Sequence, residues 1–160
     1  TNNIYFYGTL AQESCFYLGN SIRDAERNET TVNLHLQSTG GSVLHTLYLI
    51  DTIKTAKVPI HNYIDGFVAS AATLLSISGH RRYMTRNSLM LVHQLSSSTS
   101  GKYSELKDES ENLDTIMELM KHYYLENTLI DDITLTTLLQ RDIWLNSTQC
   151  LEFGFVDDIL

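Results

Sequence analysis

The sequence predicts an α/β fold built from repeated strand–helix units. First, residues 30–37, "TTVNLHLQ", alternate apolar and polar side chains, which is typical of a strand. Second, Cys15, Leu18, Ile22 and Ala25 recur at spacings of three and four, which places them on one face of a helix. Third, strand and helix patterns follow each other from the start to residue 94. This alternation favours parallel strands joined by right-handed helical crossovers.

The first half of the chain, up to residue 94, is predicted to contain four strands and three helices. "NIYFYG" (3–8) is an aromatic and β-branched strand ending at a glycine, and the amphipathic helix and the 30–37 strand follow it. The chain then turns at Gly40-Gly41, and Ser42 is a suitable N-cap for a helix that ends before Pro59. "IHNYI" is the next strand, a helix containing Ser70 follows, and "SLMLVHQ" (88–94) is strand-like.

The second half begins with a low-complexity stretch, "SSSTSG" (96–101), which indicates a flexible loop or an irregular edge strand. Residues 102–126 then have apolar side chains at helical spacing and predict a long helix. Its apolar face is either packed on the core beneath a solvated charged face or is an arm that contacts another subunit. A short helix after Asp132, "RDIWLN" and "CLEFGFVDDIL" complete the chain.

Composition restricts the function classes. The 160 residues, 42% of them hydrophobic, fit one globular domain over residues 1–160. A net charge of −8, with 11 Lys and Arg among 19 acids, argues against nucleic acid as a partner. We also expect no membrane span, since no apolar run approaches the roughly 18–20 residues required. The start lacks a signal-peptide pattern, so a cytoplasmic protein is expected, with an organelle matrix or stroma, or the cytoplasm of a virus-infected host, left open.

Cysteine and histidine spacing does not support a metal site. Cys15 and Cys150 form no CxxC pair and are expected to be buried thiols, and the six histidines show no HxH or HExxH pattern.

Three residues are candidates for a nucleophile, a base and an orienting acid. Ser70 begins a helix after a strand and has small neighbours, His93 ends an apolar strand, and Asp142 lies at a loop-to-strand boundary. Each also has a purely structural interpretation: close helix packing for Ser70, a hydrogen-bonded strand end for His93, and a helix cap or surface ion pair for Asp142.

The glycine pair at the first strand-to-helix turn adds a second feature. Without a Cβ atom, Gly40 and Gly41 let backbone N–H groups approach a ligand, and one such N–H with that of Ala71 would form a two-donor oxyanion hole. A tight turn that needs positive φ is the alternative.

Together these segments resemble one family. "STGGSV", "DGFVASAATLLSISGHRRYMTRNSLMLVHQ" and "RDIWLNSTQCLEFGFVDDIL" are similar to the signature regions of the proteolytic subunit of the Clp protease, in the same order and over nearly the whole chain. The resemblance implies that Ser70 is the nucleophile, His93 the general base and Asp142 the orienting acid. It also implies that the amides of Gly41 and Ala71 form the oxyanion hole.

The resemblance further implies a crotonase-like fold with a protruding handle helix, which the 102–126 segment fits. It implies a homo-oligomer of two stacked heptameric rings, a tetradecamer that encloses the active sites. It also implies an AAA+ unfoldase of the Clp type as a partner, which would use ATP to thread unfolded polypeptides into the chamber, and hydrolysis without a cofactor in this subunit.

Some positions depart from the family pattern. Thr39 replaces a proline before the glycine pair, and Leu95 with "SSSTS" replaces a proline and a glycine-rich stretch, so the turn and the alignment of substrate are expected to differ. Asn33, His35 and Thr55 replace outward-facing aromatics, which predicts a more polar docking cleft and weaker coupling to a standard unfoldase.

Two other functions remain open on the sequence. One is a catalytically silent, structural ring subunit of the same family, against which the presence of Ser70, His93 and Asp142 argues. The other is an acyl-CoA enzyme of the crotonase superfamily, which shares the fold and the oxyanion-hole principle but does not need these three residues together.

Overall fold

A computed structural model describes all 160 residues as a seven-stranded sheet and six helices. The strands are β1 (Asn2–Tyr7), β2 (Val32–Ser38), β3 (Ile60–Ala69), β4 (Arg81–Met84), β5 (Leu89–Leu91), β6 (Trp144–Leu145) and β7 (Asp158–Ile159). The helices are α1 (Gln12–Arg27), α2 (Val43–Lys54), α3 (Ala71–Ser76), α4 (Tyr103–Asn127), α5 (Asp132–Leu139) and α6 (Ser147–Glu152). The predicted α/β class is confirmed.

Strand β3 is the centre of the sheet, and it forks. The main path runs β1-β2-β3-β4-β7, with all neighbours parallel. The first half of β3, from His61 to Ile64, pairs with β4, whereas its last residues, Phe67 to Ala69, pair with β5. Gly66, with φ +89°, lies between the two halves and allows the change of direction. Strand β5 also pairs antiparallel with β6.

The two faces of the sheet differ because the strand residues alternate. Along β2, Val32, Leu34 and Leu36 are buried, while the residues between them are only half-buried. The buried face packs against the helices. Helix α1 contributes the four residues that the sequence predicted for its apolar face, Cys15, Leu18, Ile22 and Ala25. The hydrophobic effect therefore fixes the strand register, because a shift by one residue would expose this set.

Helix α2 begins as the sequence predicts. The Ser42 side chain accepts a hydrogen bond from the His45 N–H at 3.3 Å, which satisfies one of the free donors of the first turn.

Several strands differ from the predictions. Strand β3 continues beyond the predicted "IHNYI" as far as Ala69. Strand β4 was missed, because it begins with Arg81 and Arg82 and has no apolar alternation. Strand β5 covers Leu89–Leu91 and not the whole of 88–94. The Ser88 N–H donates to Thr85 O at 3.0 Å, and the Gln94 N–H donates to Leu139 O at 2.7 Å, so the backbone at both ends leaves the ladder for other partners.

The long helix α4 has two environments. From 103 to 115 its residues are exposed apart from partial burial at Glu109 and Leu113, whereas Met120 and Tyr124 are fully buried in the core. The second half therefore packs on the core, as the first interpretation predicts, and the first half protrudes from it. None of the helices is long and apolar enough to span a bilayer.

Candidate active site

Ser70 occupies a strained turn between β3 and α3. It has φ +59° and ψ −131°, in a region that residues with a Cβ atom rarely adopt, and it is the N-cap of α3. Its N–H donates to Leu91 O at 3.0 Å, and its carbonyl accepts from the Thr73 N–H at 2.9 Å. The Ser70 hydroxyl makes no hydrogen bond within the chain. The turn therefore presents an uncommitted hydroxyl group on a backbone fixed from both sides.

The strand register brings the three predicted residues to one end of the sheet. Ala69 pairs with Leu91, and Leu91 pairs with Trp144. Ser70 follows Ala69, His93 lies two residues beyond Leu91 in the parallel direction, and Asp142 lies two residues before Trp144 in the antiparallel strand. All three therefore leave their strands at the same edge.

Two backbone amides at this edge are free to donate. The Gly41 and Ala71 N–H groups have no acceptor within the chain, whereas the Gly40 N–H donates to Ser38 Oγ at 3.0 Å. Gly40 packs directly against the Ser70 turn, since a Cβ atom placed on it would lie 2.8 Å from both Ala69 O and Ser70 Cβ. A glycine is required there for this close approach.

The side chains of the predicted acid–base pair are not joined to each other. His93 Nδ1 lies 2.6 Å from the backbone oxygen of Gln94. Because a carbonyl oxygen only accepts, Nδ1 carries the proton and Nε2 is left as the basic nitrogen. Asp142 is exposed and its carboxylate makes no hydrogen bond. The predicted contacts of His93 with Ser70 and with Asp142 are therefore not formed in this chain, although the Gln94 N–H bond to Leu139 O holds the two segments together.

Sequence reasoning missed two residues behind the Ser70 turn. Thr73 Oγ1 donates to Ser70 O at 2.7 Å, and the same oxygen is hydrogen-bonded to the Tyr124 hydroxyl group of α4. Thr73 and Tyr124 are both fully buried. Each looked like an ordinary core position in the sequence, and no local pattern links residues so far apart.

The outer face of the sheet carries a row of stacked rings. Tyr5, His35, Tyr63 and Tyr83 lie side by side on β1 to β4, with centroid separations of 4.7 to 4.9 Å. The expectation of a polar surface considered Asn33, His35 and Thr55 alone. The tyrosines of neighbouring strands add aromatic rings to that surface, and the expectation of weaker docking stays a prediction.

A polar cluster lies beside this row of rings. Asp65 Oδ2 accepts from the Tyr7 hydroxyl at 2.6 Å and lies 2.8 Å from His35 Nδ1. The hydrogen bond to Asp65 raises the pKa of Tyr7 to about 12. The surface is therefore a mixture of aromatic rings and one carboxylate with its polar partners.

Comparison with known proteins decides the family. The model of the Clp protease family matches residues 14–160. The chain belongs to the Clp protease family. An ATP-dependent Clp protease proteolytic subunit from Streptococcus mutans is 30% identical over 146 residues, which is 86% of this chain and 72% of that protein.

The fold of this Clp protease chain also matches a solved structure. A mutant of ClpP1 from Listeria monocytogenes has a TM-score of 0.91 at 21% identity, covering 99% of this chain and 91% of that one. The architecture is therefore crotonase-like and of the ClpP type, as the resemblance implied. Family membership supports a peptidase.

Proposed function

We propose that this Clp protease chain is a serine endopeptidase subunit that cuts unfolded polypeptides into short peptides. In this proposal Ser70 is the nucleophile, His93 the general base and Asp142 the group that orients His93. The Gly41 and Ala71 amides form the oxyanion hole. The subunit needs no cofactor for hydrolysis.

The observation that carries the proposal is the Ser70 turn with its two free amides. The hydroxyl group is uncommitted, and the Gly41 and Ala71 N–H groups lack acceptors at the same edge of the sheet. Donors fixed before the reaction stabilise the charge that develops on a carbonyl oxygen, because they need no reorganisation when it forms. A helix N-terminus adds to the same field.

The chemistry follows from these positions. Ser70 Oγ attacks the scissile carbonyl carbon while its proton passes to His93 Nε2, and the oxyanion receives the two N–H groups. The C–N bond then breaks as His93 returns the proton to the leaving amine. Water attacks the acyl-enzyme ester with His93 again as the base, which releases the acid product and restores Ser70.

This mechanism requires a movement of the His93 segment. Nδ1–H is directed to the Gln94 carbonyl in this chain, and the tautomer is already the one that a base needs. A change of the His93 rotamer and the neighbouring loop would bring Nε2 to Ser70 and Nδ1 to Asp142. We propose that assembly of two stacked heptameric rings, with the exposed first half of α4 as the handle between them, supplies this ordering.

The proposed partner for folded substrates is an AAA+ unfoldase of the Clp type. A purely apolar docking loop would have to desolvate Asp65 and His35 beside the row of rings, which costs binding free energy. We therefore expect weaker docking than on an all-apolar surface. Degradation of a tagged folded protein with ATP and a bacterial Clp unfoldase, compared with the Asn33→Tyr/His35→Tyr variant, measures this effect. Efficient degradation by the unmodified chain contradicts weak docking.

The peptidase function is tested by reaction with a fluorophosphonate. The native mass of each sample is measured first, so that the assembled fraction is known. We expect one adduct per subunit on Ser70 in the assembled fraction, and no adduct in Ser70→Ala. Assembled rings that neither react nor cleave an unstructured peptide would rule the function out.

A second candidate is a catalytically silent ring subunit of the same family. The separation of His93 from both Ser70 and Asp142 in this chain favours it. The same fluorophosphonate experiment decides between the two candidates, because a silent subunit assembles without reacting.

A further inference from the structure

The carbonyl of Ser70 is held by a buried chain of hydrogen bonds that starts on α4. It accepts from the Thr73 N–H at 2.9 Å and from Thr73 Oγ1 at 2.7 Å. The Thr73 hydroxyl proton is therefore used, and the Tyr124 hydroxyl must be the donor in the contact between the two side chains. The order is Tyr124 O–H to Thr73 Oγ1–H to Ser70 O.

The place of this chain of bonds gives it a role beyond packing. A backbone at φ +59° returns to a relaxed conformation unless its surroundings fix it. Fixing the carbonyl fixes the peptide plane between Ser70 and Ala71, and the N–H of that plane is one of the two proposed oxyanion donors. Polarisation along the chain also strengthens the bond that reaches the carbonyl.

We propose that Tyr124, acting through Thr73, is a positioning residue that holds the Ser70–Ala71 peptide plane in its catalytic orientation. The inference rests on the proposed function of Ser70. Tyr124 touches no substrate, so removing its hydroxyl group changes the rate of reaction at Ser70 and leaves substrate binding unchanged.

Burial keeps this donor in one state. Complete desolvation raises the pKa of Tyr124, so the hydroxyl group stays protonated throughout the range in which a peptidase is assayed. The effect of Tyr124 on rate is therefore independent of pH between about 6 and 9.

The chain offers matched controls for each partner. Tyr123 is the neighbour of Tyr124 on α4, and its buried hydroxyl group has no hydrogen-bond partner, although Ser78 lies nearby. Ser76 is a buried hydroxyl on α3 that donates to Thr73 O at 2.9 Å and does not reach Ser70. Tyr123→Phe and Ser76→Ala therefore remove similar groups without touching the proposed chain of bonds.

The experiment measures the second-order rate constant of fluorophosphonate reaction, and kcat and KM for a short peptide, on variants of equal native mass. Tyr124→Phe is expected to lower kcat and the labelling rate about three- to tenfold, the loss of one buried hydrogen bond, with KM unchanged. Thr73→Val is expected to lower them at least as much, and Thr73→Ser to restore them. The double variant Tyr124→Phe/Thr73→Val should match Thr73→Val, because both changes break one chain of bonds.

Several outcomes overturn the inference. Wild-type labelling rates in both Tyr124→Phe and Thr73→Val do so, as do equal losses in Tyr123→Phe and Ser76→Ala, which would indicate a general packing effect. If Tyr124→Phe fails to assemble, the labelling rates of Thr73→Val and Thr73→Ser are compared instead. Equal rates in these two variants overturn the inference, and a loss in Thr73→Val alone supports it. If assembled wild-type rings show no adduct on Ser70, the proposed function fails first, and the role of Tyr124 fails with it.

Discussion

The two halves of the candidate site are built differently. The nucleophile half, formed by Gly40, Gly41, Ser70 and Ala71, lies between a strand, a buried helix and a glycine turn, and hydrogen bonds to both the N–H and the carbonyl of Ser70 hold it. The acid–base half, formed by His93, Gln94 and Asp142, lies on partly exposed loops. Its main anchors are the Gln94 N–H bond to Leu139 O and a contact of 3.3 Å from the Leu95 N–H to Met117 Sδ.

This difference indicates what a single chain can preorganise. Strand pairing and helix burial are strong enough to hold a strained turn, because many buried groups share the cost. A loop with few buried contacts is free to adopt several conformations. The nucleophile half of the candidate site is thus ordered within the subunit, and the acid–base half is the part that the proposed ring assembly would order.

The largest expected effect comes from removing the nucleophile itself. Ser70→Ala should lower turnover of a fluorogenic peptide on the order of a million-fold, because the other members of a triad contribute little without it. The fold should be retained, since alanine is smaller and the Ser70 hydroxyl makes no hydrogen bond. Retention of more than about a hundredth of wild-type turnover would remove Ser70 from the mechanism.

The next effect tests which acceptor orients His93. Asp142→Asn should lower turnover on the order of ten-thousand-fold if the carboxylate must hold Nδ1–H. Glu152→Gln removes the same charge from another exposed side chain and serves as the control. A loss below about tenfold would show that the Gln94 carbonyl orients His93 well enough, which would sharpen the contrast between the two halves.

A smaller effect is expected from filling the space beside the Ser70 turn. Gly40→Ala places a Cβ atom 2.8 Å from Ala69 O and Ser70 Cβ at a φ of +106°. Displacement of the turn should lower kcat about a hundredfold, comparable to the loss of one oxyanion donor.

Gly8→Ala is the control for this substitution. Gly8 also has positive φ, +149°, but a Cβ atom there meets nothing within 4 Å. It therefore reports the backbone strain alone, which is about 1 kcal/mol in the free energy of unfolding. Equal kcat values for the two variants would show that the glycine turn does not support the nucleophile half.

The smallest expected effect is on the free energy of unfolding, from an ion pair that lies outside both halves of the candidate site. Arg82 donates to Asp157 Oδ1 at 2.8 Å and to the carbonyl of Asn127 at 2.8 Å, which ties the end of α4 to β4. Partial burial would raise the pKa of Asp157, but the hydrogen bonds and charge of Arg82 outweigh it and hold the pKa below its usual range. Asp157→Asn should lower the free energy of unfolding by about 1 kcal/mol near neutral pH, after solvent screening is allowed for.

The pH dependence of this loss has a definite sign. A carboxylate with a depressed pKa stabilises the fold above its unfolded pKa, near 3.9, and that contribution disappears as pH falls through the lower folded value. Melting temperatures of wild type and Asp157→Asn should therefore differ at pH 7, begin to approach each other below about pH 4, and converge once the pH is below the folded pKa. Asp158→Asn is the neighbouring control. A difference that persists at low pH would contradict the ion-pair explanation.

The sequence predicted the nucleophile half better than the acid–base half, and the reason is locality. A strand, a serine among small residues and a helix are adjacent in the chain, so Ser70 and Ala71 could be placed from a short pattern. The relation of His93 to Asp142 depends on the pairing of β5 with β6, and β6 has only two residues, too few for a period. The bond from His93 to the Gln94 carbonyl involves a backbone atom and leaves no trace in the sequence.

The remaining errors have the same origin. Tyr5 and Tyr63 were placed on separate strands and Tyr83 on none, and only the register of β1 to β4 shows that they form a row with His35. Strand β4 has no alternation of apolar and polar residues, and it forms a strand because it pairs with β3 and β7. Long-range pairing therefore determined what the local patterns could not.

The fork in β3 also has a consequence for the order in which a nascent chain can fold. Every partner of the Ser70 turn except Tyr124 precedes residue 93, so strands β1 to β5 can pair before the long helix has left the ribosome. Met90 meets Leu145 only after α4 and α5 have been synthesised, and closing so long a loop is entropically costly. In a newly made subunit the Ser70 turn therefore forms early and the Asp142 segment joins the sheet last, so the candidate site is assembled only when the chain is nearly complete.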